Sequence, residues 1–440
     1  MVEKLKFIHT ADIHLGKPLN YGGTPPESLK TIFKQAGRKA LGMIFSCAIE
    51  YKVDFVVIAG DLYDREARSV QASRVFSEQC QRLDEAGIPI FIVSGNHDPL
   101  GQNKEPFALP DNVYNFSSEQ VELKEIVKGG RLAARILGQS YKQKFESRSM
   151  YNYYTVPDGG VFNLGILHTQ LEADNRRYVP VSKADLEEKN DIHYWALGHI
   201  HQRRLLQASQ PGIVFPGTPQ GRNIKELGVK GCYLVEVDDN NEANFTFLPA
   251  ASVVYKQIKI DLGDNLIKNL TELESVIKSE AEQLLRQETQ ETASPSFSGF
   301  KGYIVRWLVT GRGPAHDHIE EYREEVRTTL LNKLNGEYAE TSPFLWSHSL
   351  VFRTGKELPQ LEELKKNNEL YQELADILED IRQDGELEEE LLQSWGEIWK
   401  GSAQLEERAS DKFYPDPQTK AELLKEAEQL ILAELLQEGE

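Results

Sequence analysis

Residues 7–16 read FIHTADIHLG. The apolar run at Lys4–Thr10 (KLKFIHT) has the composition of a β-strand, and a core strand has no use for Asp-Ile-His at its exit. Asp12 and His14 therefore read as ligands in need of partners. The chain supplies partners, each at the end of another apolar run. Asp61 and Asp64 follow DFVVIAG (54–60), and Asn96, His97 and Asp98 follow IPIFIVSG (88–95). His168 closes the run in GILHTQ, and His199 and His201 lie in ALGHIHQ. Helical patterns over Ser28–Tyr51 and Ser69–Ala86 separate the first three strands, and 163–169, 192–199 and 212–217 return as strands. This alternation predicts a layered α/β domain with largely parallel, buried strands. Between Val121 and Pro157 the runs shorten and alternate with turns, which predicts antiparallel strands. In such a domain the strand ends at one edge meet at one crevice. Residues i and i+2 of a strand point the same way, so Asp12 with His14, and His199 with His201, are each expected to present two ligands to one place.

The assembled donors are two carboxylates (Asp12, Asp61), one amide (Asn96) and four imidazoles (His14, His168, His199, His201), with no thiolate. Oxygen and nitrogen donors suit first-row divalent ions such as Mn²⁺, with Fe²⁺ or Zn²⁺ as alternatives. The set is too large for one ion and fits two ions about 3.5–4 Å apart with a shared bridge. Such a pair acidifies water and stabilises charge on a pentacoordinate phosphorus, which is the chemistry of phosphate ester hydrolysis. Taken singly, each histidine reads as a hydrogen-bonded core residue, and Gly60, Gly95 and Gly198 read as turn residues. Taken together at successive strand ends, they read as a metal site.

The blocks DxH, GDxxD, GNHD, a lone His after a strand, and GHxH occur here in that order. They are similar to those of the calcineurin-like metallophosphoesterases. Within that superfamily TADIHLG, AGDLYD, SGNHD, GHIHQ and FPGTPQGR resemble the SbcD-type DNA repair exonucleases. The resemblance covers about residues 7–222. It implies a four-layer α/β/β/α metallophosphoesterase sandwich with a small α/β capping domain and a helical C-terminal tail. It assigns Asp12, His14 and His201 to a first metal, Asn96, His168 and His199 to a second, and Asp61 to a bridge between them. It makes His97 a catalytic residue acting on the leaving 3′-oxygen or the scissile phosphate, with Asp98 orienting its ring. Archaeal and eukaryotic relatives resemble GDLxH where this chain has GDLYD, so Asp64 stands where a second histidine would be. Bacterial members carry Asp there as well, and activity is expected. The resemblance further implies two Mn²⁺ ions, DNA as substrate, a homodimer, and an SbcC-like ABC-type ATPase bound through the C-terminal helices.

The remaining sequence sets the frame. At 440 residues the chain is long enough for two or three domains. The expected boundaries are a nuclease domain at 1–255, a capping domain at 256–355 and an acidic partner-binding tail at 356–440. In the middle region YKQIKIDLG, YIVRWLVTG and FLWSHSLVF read as strands, with helices over Asn265–Gln287 and Ile319–Leu334. The tail carries apolar stripes, among them Leu370, Leu374, Ile377 and Ile381, then Leu387, Leu391, Trp395, Ile398 and Trp399. The net charge is −19, and residues 356–440 hold 9 Lys+Arg against 24 Asp+Glu, so most of the acidity lies in the tail. That repels DNA and suits a protein partner. Cys47, Cys80 and Cys232 show no pairing pattern, and there is neither a secretory signal nor an eighteen-residue apolar run. These features predict a cytoplasmic protein without a membrane span.

Arg176 and Arg177 follow His168, and Arg203 and Arg204 follow His201; each is a candidate for DNA phosphate contact, with surface ion pairs as the alternative. Lys142, Lys144 and Arg148, interleaved with Tyr141, Phe145 and Tyr151, also suit a surface that tracks a nucleic-acid backbone. His316 and His318 open a helix and carry no expectation of metal. The sequence reading is therefore a two-metal nuclease acting on DNA ends or hairpins. The rival readings are a phosphodiesterase acting on a nucleotide or other small ester, and a scaffold that has lost catalysis. The complete ligand set argues against the second.

Overall fold

A computed structural model describes residues 4–64, 69–100, 106–157, 160–172, 177–286, 299–357, 369–383, 423–424, 427–428 and 430–432. In chain order the first elements are β1 (Leu5–Thr10), α1 (Glu27–Glu50), β2 (Phe55–Ala59), α2 (Val70–Glu85), β3 (Ile90–Val93) and β4 (Val113–Asn115). They are followed by β5 (Glu122–Lys128), β6 (Arg131–Gly138), β7 (Phe162–His168), α3 (Lys183–Glu187), β8 (Tyr194–Gly198), β9 (Arg204–Gln207) and β10 (Gly212–Phe215). Next come β11 (Gly231–Val237), β12 (Ala243–Pro249), β13 (Val253–Asp261), α4 (Leu270–Arg286), β14 (Gly302–Arg312), α5 (Ala315–Glu321), α6 (Arg323–Tyr338), β15 (Phe344–Gly355) and α7 (Glu369–Gln383).

Two six-stranded sheets form the body, ordered β12-β11-β1-β2-β3-β4 and β5-β6-β7-β8-β10-β9. Strands β1 to β4 run parallel, as do β6, β7, β8 and β10, while β5 pairs antiparallel with β6 as expected. The layers follow from the alternation of side chains along each strand. Phe7, Phe55, Val57 and Val93 pack between the sheets against Ile136, Leu164, Ile166 and Ala196. Their neighbours Ile8, Val56, Ile58 and Ile92 point the other way and pack on Leu41, Ile44 and Phe45 of α1 and Phe76 and Leu83 of α2. The outer face of the second sheet is covered by a thinner layer, where Trp195, Leu197 and Leu167 meet Tyr141, Met150, Tyr154 and Leu186. Each large apolar side chain buried in this way contributes about 1.5–3 kcal/mol. The four-layer α/β/β/α sandwich is thus present, with a short α3 and irregular backbone as its fourth layer. Cys47, Cys80 and Cys232 are buried free thiols.

The chain divides into two compact units, one comprising Met1–Ile260, Glu274–Val309 and Tyr322–Phe352, the other Asp261–Leu273, Thr310–Glu321 and Arg353–Glu440. In the first unit Leu29, Phe33 and Ala36 of α1 share a core with Val253, Tyr255, Ile304, Phe344 and Trp346. Strands β13, β14 and β15 form a three-stranded sheet in that order.

Two helices differ from the sequence reading. The helix expected from Asn265 begins at Leu270 because the Asn269 side chain accepts the Glu272 N–H at 3.0 Å and caps it there. Leu266, expected on its apolar stripe, is 76 % exposed with φ +50°. The helix expected over Ile319–Leu334 is two helices, α5 and α6, broken at Tyr322. In the tail, α7 buries Tyr371 and Ala375, and Ile377 is exposed. Leu387, Leu391, Trp395, Ile398 and Trp399 lie outside the described residues. No described helix is long and apolar enough to cross a membrane.

Candidate metal centre

Apart from His168, the last residue of β7, the ligands do not lie on strands. β1 ends at Thr10 and β8 at Gly198, so Asp12, His14, His199 and His201 all follow the last paired residue. The expected pleat geometry of positions i and i+2 therefore does not bring them together. Left-handed backbone does: φ is +52° at Asp12, +45° at His14, +50° at Asp61 and +99° at His199. Such conformations cost about 1–3 kcal/mol each in non-glycine residues. They persist because the loops are tied together. Asp12 N–H donates to Gly60 O at 3.0 Å, His14 N–H to Asp61 O at 2.9 Å and Leu15 N–H to Leu62 O at 2.8 Å. Both oxygens of Asp12 accept the His199 N–H at 3.0 Å, which joins the loops of the two sheets. The glycines permit close approach. A Cβ on Gly60, where φ is +92°, would overlap His168 Nδ1, and one on Gly95 would overlap Asp61 Oδ1.

The seven expected ligands converge. Ligand atoms of Asp12, His14 and His201 lie within 4.8 Å of one another, and so do those of Asp61, His168 and His199. His14 Nε2 faces His201 Nε2 at 3.2 Å. Asn96 Oδ1 lies 3.0 Å from His168 Nε2 and 2.9 Å from His199 Nδ1. Asp61 Oδ2 is 3.6 Å from His14 Nε2 and 3.5 Å from His168 Nε2, so a single oxygen stands between the two groups. These separations are the edges of a coordination polyhedron, since ligands about 2.0–2.2 Å from a cation sit about 3.0–3.5 Å from each other. A cation also answers a problem of charge. Asp12 and Asp61 are 0 % and 1 % exposed, and buried carboxylates need compensation. The residues present fit two divalent ions, with Asp61 as the shared ligand.

The electrostatics agree with that fit. Burial pulls His14 and His199 down to about 3, so both rings are neutral with a lone pair to offer. Burial raises Asp12 to about 6 against the pull of His201 and His168. Burial works to raise Asp61 too, but His168 and His14 outweigh it and hold the carboxyl far below its usual range. In His168 and His201 the other ring nitrogen is anchored, as metal-binding histidines require. His168 Nδ1 donates to Ala59 O at 2.9 Å. His201 Nδ1 donates to Glu226 Oε1 at 2.7 Å, and Glu226 also accepts the Arg222 N–H at 2.6 Å. The sequence reading missed Glu226. Its only signal is a carboxylate four residues after the Arg222 that closes FPGTPQGR.

His97 lies outside these two groups and forms a third cluster with His14 and Asp64. Its N–H donates to Asp61 Oδ1 at 2.9 Å, its side chain is 36 % exposed, and its ring meets that of His14 edge to face at 4.7 Å. Asp98 does not orient this ring as expected. Its two oxygens accept the Gly95 N–H at 2.9 Å and the Tyr63 N–H at 3.0 Å, and so hold the loop. The carboxylate facing His97 Nδ1, at 3.6 Å, is that of Asp64.

Of the basic candidates, Arg177 is exposed and lies 5.7 Å from the centre of the Phe145 ring. Arg203 stacks on Phe247 at 3.9 Å and Arg204 is exposed on β9, while Arg176 lies outside the described residues. Lys142 pairs with Glu119, Arg148 pairs with Glu146, and Tyr141 is fully buried against His168. Of that stretch, Lys144 and Phe145 are exposed. His316 lies in the first turn of α5, with Nδ1 3.0 Å from Thr354 Oγ1, and belongs to no metal-sized group among the described residues.

Two stacked sheets with a histidine–aspartate centre for two ions at one edge define a metal-dependent phosphoester hydrolase. Residues 5–203 match the family described as calcineurin-like phosphoesterase. The chain is 33% identical over 359 residues to a Bacillus subtilis (strain 168) protein named "uncharacterized metallophosphoesterase YhaO", covering 81% of this chain and 84% of that one. The chain belongs to the calcineurin-like metallophosphoesterases. It is also 26% identical over 237 residues to the DNA double-strand break repair protein Mre11 of Archaeoglobus fulgidus, spanning 50% of this chain and 52% of that relative. A further match, 26% identical over 306 residues, is a component of the nuclease SbcCD of Staphylococcus epidermidis, covering 59% of this chain and 73% of that one.

Proposed function

We propose that this metallophosphoesterase is a DNA nuclease of the SbcD type, acting on DNA ends and on hairpins or single strands in DNA repair. The observation that carries the reading is an aromatic and basic ledge beside the second metal group. The Tyr178 ring lies 4.8 Å from that of His199, and the Phe145 ring 5.9 Å from that of Tyr178. Phe145 is 47 % exposed, with Arg177 and Lys144 each 5.7 Å from its ring centre. Two loops are zipped together to build this ledge, with Glu146 N–H donating to Arg177 O at 2.8 Å and Val179 N–H to Glu146 O at 2.7 Å. Exposed π-faces with cations alongside are what a single strand stacks on, and a small ester has no need of them. The names of the archaeal and staphylococcal relatives point to the same substrate.

Two divalent cations, which we take to be Mn²⁺ from the nitrogen and oxygen donor set, supply a Lewis acid and an acidified water when bound. The chain supplies the rest. Asp12, His14 and His201 would hold one ion, Asn96, His168 and His199 the other, and Asp61 would serve both. His97, partly exposed at the rim, protonates the leaving 3′-oxygen or steadies the scissile phosphate. Asp98 keeps the Asn96–His97 loop in place. Arg177 and Arg204 meet substrate phosphates. The exposed Ile377, Leu430 and Ile431 of the tail suit an apolar partner surface, in keeping with a coiled-coil ATPase of SbcC type and with a dimeric nuclease.

The deciding experiment incubates the protein and Mn²⁺ with labelled duplex, hairpin and single-stranded DNA, beside a chromogenic phosphodiester, with His97→Ala in parallel. DNA cleavage that His97→Ala abolishes supports the reading. Hydrolysis of the small ester alone transfers the protein to the small-ester phosphodiesterases.

A further inference from the structure

The GDLYD block contains a second carboxylate, Asp64, which lies outside the two donor groups described above and clusters instead with His14 and His97. Asp64 is 3 % exposed, and its Oδ2 is 3.6 Å from His14 Nδ1, 3.6 Å from His97 Nδ1 and 2.6 Å from Lys17 Nζ. One oxygen thus faces the same nitrogen on two different rings, one a metal ligand and the other the rim histidine. His14 Nδ1 is buried with no hydrogen-bond partner at normal distance, although its Nε2 faces His201 and Asp61. An anionic oxygen beside Nδ1 favours the tautomer with its proton there. In His14 that tautomer leaves the Nε2 lone pair for a cation. In His97 it fixes the ring plane and leaves Nε2 to face the substrate. The Lys17 ammonium, 44 % exposed, pins the carboxylate from the solvent side.

We infer that Asp64 is a positioning residue shared by the first metal ion and by His97, with Lys17 holding it in place. The inference rests on the role proposed above for His97. It explains why a chain with Asp in place of a second histidine keeps the rest of the machinery: the carboxylate sets two imidazoles instead of contributing a third. Loss of Asp64 therefore impairs two separate properties, occupancy of one metal site and the departure of a poor leaving group.

The test uses the full chain as Asp64→Asn, which keeps size and loses charge, with Lys17→Met as a milder second variant at the exposed end of the same contact. Three quantities are read: the Mn²⁺ binding isotherm, the melting temperature, and the ratio of kcat on an aryl phosphodiester to kcat on an alkyl one. For Asp64→Asn one of the two Mn²⁺ sites is expected to weaken about 10–100-fold, the other to hold. At saturating Mn²⁺ the aryl-to-alkyl ratio is expected to rise at least tenfold, because only the alkoxide needs a well-aimed acid. Lys17→Met is expected to move both quantities in the same direction by less. In Asp64→Asn/His97→Ala the ratio should equal that of His97→Ala alone. The inference is overturned if Asp64→Asn binds both ions normally and leaves the ratio unchanged while His97→Ala raises it. If His97→Ala leaves the ratio unchanged, the proposed role of His97 has failed instead, and the isotherm alone decides whether Asp64 positions His14. If Asp64→Asn does not fold, Lys17→Met decides: unchanged binding and ratio there overturn the inference.

Discussion

His168 and Asp61 form a buried ion pair across the two sheets, with Nε2 3.5 Å from Oδ2 and side-chain exposures of 0% and 2%. Burial works to lower the imidazole, but the charge of Asp61 outweighs it and pushes His168 up to about 9. In the metal-free protein His168 therefore carries a proton at neutral pH on the nitrogen that must face the second ion. Metal uptake has to expel it. Mn²⁺ affinity should rise about tenfold per pH unit up to about pH 9 and flatten above it. Below about pH 6 a proton on Asp12 adds to the competition. Titration calorimetry in buffers of different ionisation enthalpy would show a released proton near pH 7.5, and affinity independent of pH from 6 to 9 would refute this. The metal-free fold responds in the opposite sense. A raised histidine stabilises it fully below the unfolded value of about 6.5, and that contribution disappears as pH climbs through about 9.

Glu226 holds His201 as Asp61 holds His168, but through the nitrogen that faces away from His14. Its Oε1 accepts from His201 Nδ1 at 2.7 Å and so directs Nε2 toward His14. Glu226→Gln should reduce Mn²⁺ affinity at the first site about 10–100-fold and leave the second nearly unchanged. Paramagnetic resonance of the bound Mn²⁺ separates the two sites, and equal weakening of both would count against this geometry.

Gly95 makes a steric prediction. A Cβ there would overlap Asp61 Oδ1 and lie 2.8 Å from both Asp61 N and His168 Cε1. With Asp61 in its proposed role as the shared ligand, Gly95→Ala should displace both ions together. It should also lower stability by about 1–3 kcal/mol, the usual cost of overpacking. Metal analysis after desalting, beside a thermal melt, checks both outcomes, and retention of two ions would show that the loop yields.

Much of this could be read in the chain because strand cores and ligand types are local signals. FVVIA at 55–59 has nowhere to go but between layers, and histidines and aspartates at successive run ends do not arise from packing. The clustering of these donors was legible for that reason. What was not legible depends on backbone turns and on partners far along the chain. Asp12 and His14 reach the donor cluster through positive φ angles that no spacing rule announces. Asp98, adjacent to His97, reads as its partner, yet Asp64, more than thirty positions back in the chain, faces its ring. Glu226 approaches His201 only because the chain returns after β10. Tyr141 and Arg148 look like surface residues, but one is a core aromatic and the other is tied to Glu146.

The ledge at Phe145 yields the prediction that separates a polymer from a small ester. Phe145 is 47 % exposed and 5.9 Å from Tyr178, whose ring lies tilted against that of His199. Its truncation removes a π-face without touching any ligand of the metal centre. Stacking of a base on an aromatic ring is worth about 1–3 kcal/mol, so Phe145→Ala should weaken single-stranded DNA binding by about 5–150-fold. Its kcat and KM on a chromogenic phosphodiester should stay at the wild-type values, as that substrate reaches the ions and not the ledge. Arg177→Gln should weaken DNA binding as well, and in addition lessen its salt dependence, because a phosphate contact releases counterions and a stacking contact does not. Fluorescence anisotropy with a labelled oligonucleotide at several salt concentrations distinguishes the two variants. Wild-type affinity in both would remove the ledge from the substrate path, and with it the physical reason for preferring DNA over a small ester.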